Sequence, residues 1–228
     1  MKQLGVSIVD SVMPWQWQMD SIAETGFDCT FFDWNEDGKT AARADFARGK
    51  GLFVDSLHAP FGRINSFWED TAEGQAYFER MLTVVRDCAD AQIPKLVMHT
   101  TVGNNPPETC ELGFVRYRTM CDLATQKGVH ICFENLEPFV HLHDNYGVTQ
   151  PGNIDYRDDL HMLPFEGVLD WNWVAEKIAH SGYAGPLTFE FSTRTIQQNA
   201  DKSYYEFLQS AMQRAVRLRS MVENIKTV

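Results

Sequence analysis

The residues His130–Asn145 read HICFENLEPFVHLHDN and contain two short apolar runs that lead into polar side chains. Glu134 follows the first run, while the second carries His141 and leads to His143 and Asp144. A buried strand whose C-terminal end carries a carboxylate or an imidazole is typical of parallel α/β folds, in which active sites lie at that end of the strands. The same pattern recurs along the chain.

Short apolar strands alternate with amphipathic helices, which predicts βαβ units and a parallel sheet. The predicted strands are Leu4–Val9, Cys29–Phe32, Leu52–Leu57, Leu96–Met98, Ile131–Phe133, Phe139–Leu142 and Leu187–Phe189. The predicted helices are one that ends at Thr25 and those at Thr40–Arg48, Thr71–Ala91, Leu112–Gln126, Asp170–His180 and Ser203–Ile225. Because strand after strand leads into a polar residue, we predict that residues 1–228 form a single α/β domain, a TIM (β/α)8-type barrel.

The sixth βα unit of such a barrel is absent from this sequence. Only residues 135–138 lie between Glu134 and the next strand, whereas parallel neighbours need a crossover of roughly a dozen residues or more. Either the protein has lost this unit, or a segment of the natural chain is missing from the sequence as given. We favour the second explanation, because closing an eight-strand barrel with seven strands would strain the sheet.

The composition indicates a globular enzyme without a nucleic-acid partner. The chain has 20 Lys and Arg against 31 Asp and Glu, a formal charge of −11, which disfavours binding to a phosphate backbone. The five cysteines are odd in number and none is spaced as C-x-x-C, so we expect reduced thiols and a cytoplasmic protein. The N-terminus resembles a first strand rather than a signal peptide, and no apolar stretch approaches the ~20 residues that span a bilayer. A homodimer is possible.

The seven histidines fall into two groups. His130 and His180 lie at a strand start and in a helix, and we interpret both as structural. The other five lie at or just beyond predicted strand ends, at positions 58, 99, 141, 143 and 161. Together with Glu134 and Glu190, these imidazoles suit a borderline divalent ion such as Zn²⁺, Mn²⁺ or Co²⁺.

Several motifs in this order resemble the xylose isomerase-like barrel superfamily, which includes sugar-phosphate isomerases and epimerases and the apurinic-site endonucleases. The motifs are HAP at His58, HTT at His99, FENLE at Glu134, HLHDN at His141, DLHMLP from Asp159, GVLDW from Gly167 and GPLTFE at Glu190. The resemblance covers nearly the whole chain and implies a metal-dependent enzyme.

The resemblance also implies which side chains bind the metal. Family members hold one ion with a glutamate, an aspartate, a histidine and a second glutamate, and the matching residues are Glu134, His141 and Glu190. The aspartate normally lies in a D-x-G-H motif, which this sequence lacks. In the multi-zinc endonuclease branch, further ligands match His58, His99, Asp159 and His161. The alternatives are a buried salt bridge for Glu190 and a solvated loop for Asp159 and His161.

Other side chains are candidates for contact with a substrate. His143 and Asn135 lie beside predicted ligands, and Asp144 is a candidate for orienting an imidazole. Trp15 and Trp17 follow the first strand and would form an apolar wall for a sugar, or would pack onto the first helix. Arg194 follows the strand of Glu190 and would bind a phosphate, or lie on the surface.

Three functions follow from these expectations. The first is a metal-dependent isomerase or epimerase of a sugar or sugar phosphate, in which Glu134 and Glu190 are catalytic and transfer a proton beside a carbonyl. The second is a zinc-cluster phosphoester hydrolase related to apurinic-site endonucleases. The third, a non-catalytic sugar-binding barrel, follows if the sixth unit is truly missing.

Overall fold

The computed structural model describes residues 1–9, 11–103, 105–134, 141–150, 155 and 160–225. In this part of the chain the strands are β1 (Leu4–Ser7), β2 (Cys29–Asp33), β3 (Phe53–His58), β4 (Lys95–Met98), β5 (His130–Phe133), β6 (His141–Leu142) and β7 (Leu187–Phe189). The α-helices are α1 (Trp15–Thr25), α2 (Thr40–Gly49), α3 (Ala72–Asp90), α4 (Glu111–Lys127), α5 (Trp171–His180), α6 (Thr193–Gln198) and α7 (Tyr204–Asn224). A 3₁₀ helix at Ile64–Trp68 and the short α6 are additions to the elements expected from the sequence.

The chain divides into two compact groups of segments. We call Met1–Phe31, Ala47–Phe53 and Val140–Val228 lobe 1, and Phe32–Phe46 with Val54–Phe139 lobe 2. In lobe 1, β1 pairs in parallel with β2 and with β7, and β7 pairs in parallel with β6. In lobe 2, β4 pairs in parallel with β3 and with β5. The single domain over residues 1–228 stays a prediction.

Lobe 1 packs helices α1, α5 and α7 around its strands. Residues of β1 are buried, and Gly5 leaves room for a neighbour, since a Cβ there would lie 2.6 Å from the Cys29 sulfur. Gln18 is fully buried on α1, where its side chain hydrogen-bonds both the N–H and the carbonyl of Val9. This pair of bonds fixes the backbone that follows β1, where a site residue of a parallel sheet would lie.

Lobe 2 is built around the amphipathic helix α3, which begins after the N-cap Thr71 and buries Met81, Val84 and Val85. Arg116 on α4 is buried and donates to the carbonyls of Phe67 and Glu69, so it holds the 3₁₀ helix against α4. These bonds satisfy carbonyl groups that a short helix leaves without an internal partner.

The described helices include none that is long and apolar enough to cross a lipid bilayer.

The link between β5 and β6 differs from the earlier links between strands. In the described residues, one α-helix each lies between β2 and β3, between β3 and β4, and between β4 and β5, and the 3₁₀ helix precedes the α-helix in the second of these links. Only residues 134–140 join β5 to β6, fewer than a helical crossover needs. The sixth βα unit therefore has no room in this sequence.

A peptide map will distinguish a lost unit from a missing segment. Digestion after Lys and Arg should release one peptide that runs from Gly128 to Arg157, because no Lys or Arg lies between them. If the unit has been lost, this peptide will have the mass calculated from the sequence, and the intact chain of 228 residues will have a mass of 26.1 kDa. A heavier or divided peptide, with an intact mass greater by a few kDa, would show instead that an internal segment is missing.

Candidate metal and active site

Three predicted site residues come together in lobe 2. His58 ends β3, His99 follows β4 and Glu134 follows β5, and the parallel pairing of these strands brings their ends side by side. Glu134 Oε2 lies 2.8 Å from His99 Nε2 and 3.6 Å from His58 Nε2. One potential ligand atom from each residue lies within 4.8 Å of the other two.

The donor set of this cluster fits a divalent metal ion. His58 Nδ1 lies 2.8 Å from the Ala59 carbonyl, to which a protonated Nδ1 donates. That bond leaves Nε2 as the atom that faces Glu134, so Nε2 carries a lone pair for a metal ion when the imidazole is neutral and interacts with the carboxylate through a proton when the imidazole is charged. Two imidazole nitrogens and a carboxylate oxygen are ligands that zinc and similar ions prefer.

The carboxyl group of Glu134 is held in its ionised form. Burial by itself raises its pKa, but hydrogen bonds and charge interactions with His58 and His99 lower the pKa well below its usual range. A carboxylate that stays ionised near neutral pH can bind a cation without first losing a proton.

Two further side chains border this cluster, and the sequence did not single them out. The Phe61 ring lies 4.6 Å from the His99 ring and 5.6 Å from the His58 ring, and 46% of Phe61 is exposed. Asp33, at the end of β2, has Oδ1 3.9 Å from His58 Nδ1. The HAPFG stretch was the available signal for Phe61, because an aromatic residue three positions after a strand-end histidine lies near the same strand ends.

Lobe 1 contains a second group of predicted residues. His141 on β6 has Nδ1 3.0 Å from Glu190 Oε2, and the Glu190 N–H donates to the Leu142 carbonyl. The Phe31 ring stacks on His141 with centroids 4.2 Å apart. Packing on one side and the carboxylate on the other fix the orientation of this imidazole, as is typical of imidazoles that bind metals or transfer protons.

His161 joins the group from a strained loop. Its Nδ1 lies 3.9 Å from Glu190 Oε2, and its ring stacks on His143 with centroids 4.2 Å apart and 8° between the planes. His161 has φ 51°, a conformation that costs free energy in a residue other than glycine. Thr195 holds it there, because its hydroxyl group lies within hydrogen-bond distance of the Leu160 and His161 carbonyls.

Asp144 connects the HLHDN and GVLDW motifs. Its side chain is fully buried, Oδ1 accepts from the backbone N–H groups of Asn145 and Leu169, and Oδ2 accepts from the Trp171 indole at 2.8 Å. The sequence suggested that Asp144 orients an imidazole, whereas these hydrogen bonds join its carboxylate to two backbone N–H groups and an indole. Gly167 is required beside it, since a Cβ there would lie 2.3 Å from Asp144 Oδ1.

The remaining predicted site residues are placed as follows. Trp15 begins α1, and the Trp17 ring lies 5.6 Å from Tyr204 on α7, so Trp17 packs against a helix. Arg194 is exposed on α6. Asn135 and Asp159 lie outside the described residues. Substrate contact for Trp15, Trp17, His143, Asn135 and Arg194 stays a prediction, as does a single ion shared by Glu134, His141 and Glu190.

No protein-family model matches this sequence. An uncharacterized protein, y4fM of Sinorhizobium fredii (strain NBRC 101917 / NGR234), is 37% identical over 86 residues. The match covers 38% of this chain and 24% of the relative, so it spans about a quarter of that protein.

Solved structures resemble this chain over nearly its whole length. D-psicose 3-epimerase from Clostridium cellulolyticum H10 aligns with a TM-score of 0.68 at 11% identity over 96% of this chain and 99% of that one. A xylose isomerase domain protein from Planctomyces limnophilus gives 0.64 at 13% identity, over 97% and 98% of the two chains. The 3-keto-D-glucoside 4-epimerase from E. coli gives 0.61 at 15% identity, over 96% and 100%.

These likenesses, at low sequence identity, establish the fold. They agree with the parallel pairing in each lobe and with the alternation of strands and helices. The predicted fold class is confirmed: the chain has the α/β fold of the xylose isomerase-like TIM barrels, with seven strands among the described residues.

Proposed function

We propose that this protein is a metal-dependent isomerase or epimerase that acts on a sugar or a sugar phosphate by proton transfer beside a carbonyl group. The observation that carries the proposal is the cluster of His58, His99 and Glu134 at adjacent strand ends. Several proteins with the same fold are named as sugar epimerases, including D-psicose 3-epimerase and L-ribulose 3-epimerase.

The cluster in lobe 2 suits the binding of a Zn²⁺, Mn²⁺ or Co²⁺ ion. When bound, such an ion would polarise a carbonyl oxygen and stabilise the negative charge that develops on it. The Ala59 carbonyl keeps the Nε2 lone pair of His58 available, and Glu134 supplies a negative charge. The exposed ring of Phe61 beside the two histidines offers an apolar surface on which a sugar ring can stack.

Glu190 is suited to hold the transferred proton. Its carboxylate is mostly buried, with 19% of the side chain exposed, and is paired with His141. A carboxylate in that setting can accept a proton from a carbon beside a carbonyl, and the imidazole stabilises its charged form. A sugar with a free or masked carbonyl is therefore the proposed substrate class, and Arg194 is the proposed contact for a phosphate.

Removal of the metal is the direct test of this proposal. Protein treated with a chelator and then desalted is expected to lose ketose–aldose or epimerase activity, and to regain it on addition of Mn²⁺, Co²⁺ or Zn²⁺. The loss should be at least about 100-fold, since Lewis-acid stabilisation contributes several kcal/mol to such reactions. Activity that does not change on chelation would contradict the proposal.

Hydrolysis of a phosphoester at a zinc cluster is the second candidate. It is favoured by the presence of imidazole–carboxylate groups in both lobes, since His161 approaches Glu190 in lobe 1 while His58 and His99 approach Glu134 in lobe 2. Elemental analysis of the purified protein discriminates the two. Two or three zinc ions per chain favour the hydrolase, and one ion per chain favours the isomerase.

A further inference from the structure

The segment that follows β4 is held by side chains from outside the sheet. β4 ends at Met98, and residues 99–102 read His-Thr-Thr-Val. Partly buried backbone N–H and C=O groups need hydrogen-bond partners, and beyond the end of a strand side chains can supply them. In lobe 2 this segment receives such bonds from Asn65, Trp68 and Tyr117.

Asn65, in the 3₁₀ helix, bonds this segment twice. Its Nδ2 donates to the Val102 carbonyl at 2.9 Å, and its Oδ1 accepts from the Val102 N–H at 2.9 Å. Both ends of one amide thus pair with both backbone groups of one residue, as a residue of a neighbouring strand would. The two bonds fix the position and the rotation of the backbone at Val102, three residues after His99.

Trp68 and Tyr117 hold a second point of the segment. The Trp68 indole N–H donates to the Thr100 carbonyl at 3.0 Å, and the Tyr117 hydroxyl donates to the same oxygen at 3.1 Å. A carbonyl oxygen has two lone pairs, so these donors use both. Trp68 fits here because Gly113 of α4 has no side chain, since a Cβ there would lie 2.2 Å from the indole ring.

The segment carries a residue of the candidate metal cluster. His99 comes directly before Thr100, and its Nε2 lies 2.8 Å from Glu134 Oε2. On the other side of His99, the carbonyl of Met98 accepts from the Glu134 N–H. The backbone is thus held by the sheet before His99 and by three side chains after it. An imidazole on a backbone held in this way has few ring positions available, which pre-organises it for an ion.

We propose that Asn65, together with Trp68 and Tyr117, is a positioning residue that holds His99 in the orientation in which its imidazole can bind a divalent cation beside Glu134. Asn65 acts through the backbone of residues 99–102. The inference rests on the proposed metal site and adds to it the 3₁₀ helix, which sets the affinity for the ion without changing the charge of the site.

Calorimetric titration of the chelator-treated protein with Co²⁺ tests the proposal. Leucine has the branched shape of asparagine but no polar group, so the Asn65→Leu variant loses both bonds to Val102. We expect it to bind Co²⁺ about tenfold more weakly, at the lower end of the effects of residues that orient metal ligands. Tyr117→Phe should show a smaller loss, because the Trp68 indole still bonds the Thr100 carbonyl.

Thr71→Ala provides the matched control for stability. The Thr71 hydroxyl accepts from the Gly74 N–H at the start of α3 in the same lobe. This variant therefore loses a helix cap and some stability while the bonds to residues 99–102 remain. It should bind Co²⁺ like the wild type. Circular dichroism and urea denaturation will show whether each variant folds and how much stability it loses.

NMR spectra of the metal-free protein give a readout that needs no ion. The Phe61 ring lies 4.6 Å from the His99 ring, so its ring current shifts the His99 signals. These signals should move in Asn65→Leu, and in Tyr117→Phe if Asn65→Leu does not fold, but not in Thr71→Ala.

Folded variants whose His99 signals match those of Thr71→Ala would overturn the proposal. So would an Asn65→Leu variant that binds Co²⁺ as tightly as the wild type. A wild-type protein that binds no Co²⁺ would instead contradict the proposed metal chemistry, and the His99 signals would then still decide whether Asn65 positions this residue.

Discussion

The Glu134→Gln variant is expected to lose both metal binding and activity. Glutamine keeps the size of the side chain but removes the negative charge next to His58 and His99. A neutral amide is a poor ligand for Zn²⁺, Mn²⁺ or Co²⁺, and two neutral imidazoles alone do not balance a divalent charge. We expect the activity to fall by about 100- to 1,000-fold or more.

Metal binding is to be measured separately from activity, by calorimetric titration of the chelator-treated protein and by absorption spectroscopy of the Co²⁺ form. Glu108→Gln is the control, because Glu108 is exposed in the same lobe and its substitution removes the same charge. If Glu134→Gln binds the ion as tightly as this control, the cluster in lobe 2 is not the metal site.

The Glu190→Gln variant tests the ligand set that the sequence predicts. If Glu134, His141 and Glu190 share one ion, both glutamine variants will weaken the same binding event. If the lobes act separately, Glu190→Gln will leave the affinity of the lobe 2 ion unchanged and will lower activity alone. The second result would assign Glu190 to proton transfer rather than to metal binding.

The sequence predicted the strands and long helices well because their signals are local. The apolar spacing of α3 predicted Thr71–Ala91, and the structure has Ala72–Asp90. The 3₁₀ helix at Ile64–Trp68 and the short α6 were missed. Each is held by contacts from distant parts of the chain, as when Arg116 bonds the Phe67 carbonyl, and such contacts leave no periodic pattern in the sequence.

The candidate site likewise combines features that local sequence signals predict with features that depend on distant contacts. That His58, His99 and Glu134 lie close together was predictable, because each lies at a strand end and the C-terminal ends of parallel strands lie together; their role as ligands stays a prediction. The role of Asp144 was not, because its backbone pairs with Met162 in an isolated antiparallel bridge and its side chain bonds Leu169 and Trp171. Nothing local to HLHDN specifies these partners. The stacking of His143 on His161 depends on the same non-local contacts.

The Asp144→Ala variant is expected to lose about 2–4 kcal/mol of unfolding free energy. The substitution leaves the N–H of Leu169 and the buried indole N–H of Trp171 without their acceptor, and each unsatisfied buried donor costs roughly 1–3 kcal/mol. Urea denaturation followed by circular dichroism measures the loss. A change below about 0.5 kcal/mol would mean that water replaces the carboxylate without cost.

A double-mutant cycle separates the hydrogen bond from the general effect of packing. Asp144→Asn alone sets an amide N–H₂ against the Trp171 indole N–H, two donors facing each other. Trp171→Phe removes the indole donor, so the double variant should be more stable than the sum of the single losses predicts, by about 1 kcal/mol.

Because the Asp144 backbone pairs with Met162, which follows His161, Asp144→Ala should also disturb the stacked imidazoles. The ring-current shifts of His143 and His161 in NMR spectra should therefore decrease in the Asp144→Ala variant. They should not decrease in a surface variant of equal stability. This pair of results would show that Asp144 positions the lobe 1 site as well as stabilising the fold.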